Sequence, residues 1–298
     1  MERPSPSVFF RQTLKSDSFA ADEIINIFLL RPLAAAVVWV LYPTRVTPNQ
    51  VTVASVVAGF AAALVYLAGS PAAIAAAGLL VTLKDILDDA DGQLARAKEQ
   101  YSRRGRFLDS IGDFLVNIVL FSSITVVVYR MDPGPMTVLL GVLSCAGITL
   151  RVSWHVFYQV SFLHLEDRYK LNRIVEEVTE EDRKGDRFTL VLQIIFNVIY
   201  TWQDRLMYRI DEWCRGAGFP EEGIRKWYAD KTGLRLSGLL GFGTEFALLT
   251  VCSLFGALKL YLLLNVLAMN GIWLAGILYR RIVLSRRVVH SPAVRSRG

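Results

Sequence analysis

Apolar residues arrive in long blocks separated by short charged or turn-forming gaps, a pattern that predicts helices able to cross a bilayer. The blocks cover residues 51–67, 72–97, 105–128, 136–162, 236–255 and 258–279. Each approaches the roughly 20 residues that the hydrocarbon core requires. Thr47-Pro48-Asn49 is a helix-start signal before the first block, and Gly69-Ser70-Pro71 turns the chain into the second. Asp132-Pro133-Gly134-Pro135 separates the third from the fourth. The expected fold is an all-α integral membrane protein with six transmembrane helices, an N-terminal interfacial helix and a helical cytoplasmic insert.

Two stretches depart from this pattern. Residues 24–42 are apolar but interrupted by Arg31-Pro32 and stopped by Pro43, which suits a helix lying in the membrane interface. Residues 164–187 alternate acids and bases at helical spacing, as in a solvated helix. The apolar run at 188–200 is too short to cross and is expected on the membrane surface or on the core. Residues 202–235 are amphipathic and rich in Trp, Tyr and Arg. The organisation is therefore an N-terminal segment at 1–46, a catalytic transmembrane core at 47–162, an insert at 163–235, two last spans at 236–280 and a basic tail at 281–298. Arg103, Arg104 and Arg106 mark one loop as cytoplasmic, and Arg280, Arg281, Arg286 and Arg287 hold the C-terminus on the same side. The N-terminal stretch lacks the apolar core and small-residue cleavage site of a signal peptide.

Composition refines this reading. Of 298 residues, 53% are hydrophobic and 20% charged, so distribution is more informative than the mean hydropathy of +0.38. A net charge of +6 would suit a nucleic-acid binder, yet the basic residues flank apolar blocks, as the positive-inside rule requires. Cys145, Cys214 and Cys252 are scattered and suit packing, while His155, His164 and His290 lack metal-ligand spacing.

The candidate chemistry lies in residues 88–113, DDADGQLARAKEQYSRRGRFLDSIGD. Asp88 and Asp91 share one helix face with Gly92 and Ala95, and Asp109 and Asp113 stand one above the other on the next helix. If residues 97–104 turn the chain between neighbouring antiparallel helices, the four carboxylates converge. Carboxylates at membrane-helix ends are costly unless something binds them. An oxygen-only cluster suits Mg²⁺ or Mn²⁺, and four acids can hold a pair of ions of the kind used in phosphoryl transfer. The small residues leave room for a bulky ligand, and Arg96 can neutralise a diphosphate. A calcium loop of the EF-hand kind would begin at Leu87 and end at Lys98, which excludes it. A plainer reading pairs Lys84 with Asp88 and Arg106 with Asp109, leaving Asp85 and Asp89 as solvated or supporting neighbours.

The spacing D88-x2-D91-G92-x2-A95-R96-x8-G105-x3-D109-x3-D113 resembles, at every fixed position, the signature of the CDP-alcohol phosphotransferases, also called CDP-alcohol phosphatidyltransferases. The resemblance implies that Asp88, Asp91, Asp109 and Asp113 bind two divalent cations and that Asp113 is the general base. It also implies that Asn49, Asp88, Gly92, Ala95, Arg96 and Gly105 surround the CDP moiety. The expected reaction moves a substituted phosphate from a CDP-linked donor to an alcohol and releases CMP, with at least one partner a lipid. The setting it implies is phospholipid synthesis by a homodimer in a bacterial or archaeal plasma membrane, with the site facing the cytoplasm.

Arg151, inside the fourth block, is a candidate acceptor ligand that favours a phosphorylated alcohol, or else a partner for a structural acid such as Glu245. Two rival classes remain at this point. A membrane prenyltransferase also uses aspartates to hold metal and diphosphate, although DDADG lacks the last acid of DDxxD. An ion transporter would use the same acids as a translocation site.

Overall fold

The computed structural model describes residues 21–165, 176 and 178–289, and every regular element among them is helical. In chain order these are α1 (Asn26–Leu41), α2 (Pro48–Tyr66), α3 (Pro71–Ala97), α4 (Arg103–Met131), α5 (Pro135–Leu165), α6 (Arg187–Arg215), α7 (Lys231–Leu254) and α8 (Leu258–Val289). Short turns at Glu180–Lys184 and Ile224–Tyr228 flank α6. The first 20 residues, 166–175, 177 and the tail from 290, with His290, lie outside the described residues, as does most of the charged run after His164.

Five of these helices, α2, α4, α5, α7 and α8, are long and apolar enough to cross a membrane. At 27 residues α3 matches them in length and lies along α2, but it carries Lys84, Asp85, Asp88, Asp89 and Asp91. The outer faces form apolar belts, with Val53, Val57 and Leu64 exposed on α2, Val138 and Val142 on α5, and Leu267 and Leu274 on α8. Tyr66, Ile74, Phe121, Ile124, Phe246 and Tyr261 fill the interior.

Local chemistry sets the helix starts. Thr47 and Gln50 form a reciprocal capping box at α2, Ser70 caps α3 and Ser102 caps α4. Each such cap contributes about 1 kcal/mol. Small residues then decide how near the helices come, because lipid gives apolar faces little reason to prefer one another. Gly59 of α2 sits against Val116 of α4, where a Cβ would lie 2.5 Å from a valine methyl. Gly112 of α4 likewise faces Val56 of α2.

The apolar run at 188–200 packs on the core, one of the two places expected for it, as part of the 29-residue α6: Leu192 and Phe196 meet Phe107 and Ile111 of α4. One expectation requires correction. The last helix continues past 279, and Arg280 is buried rather than anchoring at a membrane edge. Its guanidinium lies 3.4 Å from the centroid of the Tyr158 ring and donates to the Trp227 carbonyl. The same region is tied by Asp211, which accepts from Tyr158 (2.7 Å), Trp227 (2.7 Å) and Tyr228 (2.8 Å) and pairs with Arg215 at 3.0 Å.

Candidate active site

The site is organised by α2. Helices α3 and α4 touch each other little, and each packs along α2 instead. Lys98, at the end of α3, donates to the carbonyls of Thr44 (2.9 Å) and Val46 (2.7 Å), fixing the chain that leads into α2. Glu99, with φ of 54°, then turns the backbone toward α4. The acids thus meet beside a third helix rather than across a direct α3–α4 seam.

Carboxylate oxygens of Asp88, Asp91 and Asp109 lie within 4.8 Å of one another. Like charges so close repel strongly in a half-buried setting, and a hard divalent cation relieves that repulsion while accepting oxygen ligands. The donor set and its spacing fit such an ion. From α2, the Thr52 hydroxyl donates to Asp91, and Ser55 lies 3.4 Å from Asp88 and 3.2 Å from the Lys84 carbonyl.

Asp113 does not join the other three. It forms an ion pair with Lys84 at 2.5 Å, and the same buried ammonium stands 3.6 Å from Asp88 and 3.7 Å from Asp85. Lys84 is also 5.7 Å from the Phe242 and Phe246 ring centroids, so α7 covers it. A buried carboxylate and a buried ammonium each carry a desolvation cost that this pairing offsets. The anticipated Lys84–Asp88 proximity is therefore present, but the nearest acid is Asp113. The Arg106–Asp109 pair of the plainer reading is absent among the described residues: Arg106 binds Glu176, and Arg103 pairs with Glu176 at 3.3 Å and with Asp182 at 2.5 Å. Asp89 turns to α1, where Asn26 donates to it at 3.4 Å.

The residues expected around the CDP moiety fall in two groups. Gly92, Ala95 and Arg96 follow the acids down α3, with Arg96 exposed and the space over Gly92 limited only by Arg96 at 3.6 Å. Asn49 and Gly105 meet at the start of α4. A Cβ on Gly105 would lie 2.5 Å from Asn49 Oδ1 and 2.9 Å from the capping Ser102 oxygen, so only glycine lets Asn49 sit there.

Arg151 is not brought to this site. It is fully buried, pairs with Glu245 at 3.0 Å and donates to Asn270 (2.6 Å) and to the Asn265 carbonyl (3.2 Å). Tyr261 and Asn265 donate to the same Glu245. The alternative of a structural acid partner is what the geometry contains.

On the other side of Asp109 and Asp113 a cavity of about 440 Å³ opens between α4, α5 and α6. Phe114, Val152, Val156, Val160 and Phe196 give it mainly apolar walls. Neither this cavity nor Thr52, Ser55 and the Lys84–Asp113 pair emerged from the sequence. A faint signal existed in α2, where Thr52 and Ser55 are polar residues three apart in an otherwise apolar run.

Comparison with known proteins bears directly on these residues. The family model for CDP-alcohol phosphatidyltransferases matches residues 45–218, more than half of the chain, and runs through most of the stretch read as an insert. The bifunctional IPC transferase and DIPP synthase of Thermococcus kodakarensis is 44% identical over 73 residues, 24% of this chain and 16% of that protein. The protein of the same description from Archaeoglobus fulgidus is 37% identical over 105 residues, 35% of this chain and 19% of its own. The matches thus span under a fifth of each relative's length. The chain belongs to the CDP-alcohol phosphatidyltransferase family, a family of transferases.

Proposed function

We propose that this member of the CDP-alcohol phosphatidyltransferase family transfers a substituted phosphate from a CDP-linked donor to an alcohol, releasing CMP, in membrane phospholipid synthesis. The observation that carries the reading is the convergence of Asp88, Asp91 and Asp109, of which Asp109 also lines a cavity of about 440 Å³. These three would hold divalent cations, Mg²⁺ or Mn²⁺, and Asp113 would complete a two-ion set when Lys84 yields it. Bound there, such ions neutralise the pyrophosphate and favour departure of CMP.

The chain's own groups supply the rest. Arg96 lies one turn beyond Gly92 on α3, positioned to pair with a pyrophosphate oxygen that the small Gly92 and Ala95 allow to approach. Asn49, held beside Gly105, offers a carboxamide to the nucleotide from the other side. Asp113 faces the cavity and would receive the proton from the acceptor hydroxyl. The acceptor oxygen bonds to the β-phosphorus, the bond from that phosphorus to the CMP oxygen breaks, and the electron pair leaves with CMP. Until ions bind, Lys84 holds Asp113 through the 2.5 Å ion pair.

The reading includes α3 as a sixth span, α1 in the interface, residues 163–235 as a cytoplasmic insert and the site open to the cytoplasm. Arg103, Arg104 and Arg106 beside Asp109 support the last point through the positive-inside rule. The homodimer is supported by the family resemblance. Family membership displaces the prenyltransferase and transporter readings.

The test is CMP release by purified protein with Mg²⁺, offered CDP-diacylglycerol or CDP-amino alcohols with a panel of alcohols, and mass spectrometry of the lipids formed. A new phosphodiester lipid with stoichiometric CMP is the expected result. Absence of CMP with every donor would overturn the proposal.

A further inference from the structure

Lys84 reaches three carboxylates at once. Its buried ammonium stands 2.5 Å from Asp113, 3.6 Å from Asp88 and 3.7 Å from Asp85. Helical spacing separates the three. Asp88 is four residues on from Lys84 and shares its face of α3, and Asp113 comes across from α4. Asp85 belongs to the neighbouring face with Asp89, which turns to Asn26 of α1. On the α7 side the ammonium is covered by the stacked rings of Phe242 and Phe246, each 5.7 Å away. Such faces attract a cation, and the flexible four-carbon stem of a lysine lets the ammonium turn beneath them.

Charge matching decides which acid Lys84 serves once the site is loaded. Asp88, Asp91, Asp109 and Asp113 carry four negative charges, the number that a pair of divalent cations supplies. Lys84 is then a surplus positive charge within that set, and Asp85 a surplus negative one beside it. Asp85 is buried, and among the described residues no other Arg or Lys pairs with it. A buried ammonium without a carboxylate is costly, and so is the reverse. Lys84 therefore has an acid to retire to when it gives up Asp113 and Asp88. A movement of about 1 Å would turn the present approach to Asp85 into a hydrogen-bonded pair.

We propose that Asp85 is a positioning residue that receives the Lys84 ammonium when Asp113 turns to the second cation. Lys84 alternates between two acids: Asp113 before loading and Asp85 after it. This inference rests on the two-ion reading above. Lys84 keeps Asp113 in place while the site is being filled, and Asp85 makes its release easy.

The experiment titrates the full-length protein in lipid nanodiscs with Mn²⁺. Electron paramagnetic resonance counts the bound ions and detects the spin coupling of a close pair. The parent should take two ions, the second more weakly. In Asp85→Asn the first ion should bind as before, while the second binds roughly tenfold more weakly, as for one lost coupling. Asp85→Glu, which keeps the carboxylate, should restore the second ion. Lys84→Met has no ammonium to displace, so it should bind the second ion roughly tenfold more tightly, and adding Asp85→Asn to it should change nothing further. Parent-like binding of the second ion in Asp85→Asn would overturn the inference, as would an equal loss in the Lys84→Met background. Should Asp85→Asn fail to fold, Lys84→Met decides alone: a second ion bound no more tightly than in the parent overturns the exchange. Two ions bound without regard to Asp85 would defeat the exchange and leave the two-ion reading standing, whereas a single ion in both the parent and Lys84→Met would defeat that reading as well.

Discussion

Charge is buried in two places within this helical bundle, and the two are neutralised in opposite ways. Arg151 and Glu245, both fully buried, face each other at 3.0 Å, and Asn270, Tyr261 and Asn265 use most of their remaining hydrogen-bonding capacity. Asp88, Asp91 and Asp109 gather three negative charges within 4.8 Å and receive from α2 only hydroxyl contacts from Thr52 and Ser55. Lys84 stands close by but gives its shortest contact to Asp113. A closed, mutually satisfied pair adds shape to a fold. A cluster that lacks a matching charge is instead poised for a ligand that supplies one.

Chelation should break the comparison most completely. With EDTA the transferase activity should vanish and the Arg151 pair remain unaffected, activity returning with Mg²⁺ or Mn²⁺; the measurement is CMP release, and turnover persisting in chelator would contradict the metal reading. Next in size, Asp113→Asn should lower turnover roughly 100- to 10,000-fold while donor binding, followed by equilibrium dialysis of labelled CDP-alcohol, is largely kept. Near-normal turnover would remove Asp113 from the role of base.

On the other side of the comparison, Arg151→Met leaves Glu245 buried without its cation and should destabilise the fold by about 3–5 kcal/mol. Pairing it with Glu245→Gln should recover part of that loss in thermal unfolding, and an effect on acceptor KM without loss of stability would return Arg151 to the substrate site. Lys84→Met tests the boundary between the two kinds of site. It should lower Tm in EDTA, because Asp113 loses its ammonium, and Mg²⁺ should restore more stability than it does in the parent protein.

The smallest effect concerns the exposed turn at Glu180–Lys184. The Arg103 guanidinium, with the Thr179 backbone amide and Gln193, holds the Asp182 carboxyl well below the usual carboxylate range. A folded-state value below the unfolded one stabilises the turn above the unfolded value, and that contribution is lost as pH falls through and below about 4. Amide exchange of this turn should therefore quicken in acid, and Asp182→Asn should abolish the pH dependence.

The sequence made the helix boundaries readable where punctuation was strong, as at Thr47-Pro48, Ser70-Pro71 and Pro135. It also placed Asp88, Asp91 and Asp109 together, because helical periodicity fixes which side chains share a face. It did not reveal that α2 lies between the acid-bearing helices, since the mutual rotation of packed helices depends on contacts such as Gly59–Val116 that no periodicity encodes. For the same reason the choice of Lys84 for Asp113, the partner of Arg151 and the side on which the cavity opens were not legible. The continuation of the 188–200 run to Arg215 was not legible because the polar half of the amphipathic helix masked it.

The glycine at 112 carries a consequence for how such a protein fails. It stands between Asp109 and Asp113 in α4 and presses on Val56, so any side chain there would wedge α4 away from α2 and shift both acids at once. A Gly112→Val molecule would keep every carboxylate, retain its place in the lipid and yet behave as though its acids had been deleted. In a survey of inactive variants, bulk at this one silent position would be indistinguishable from damage to the chemistry itself.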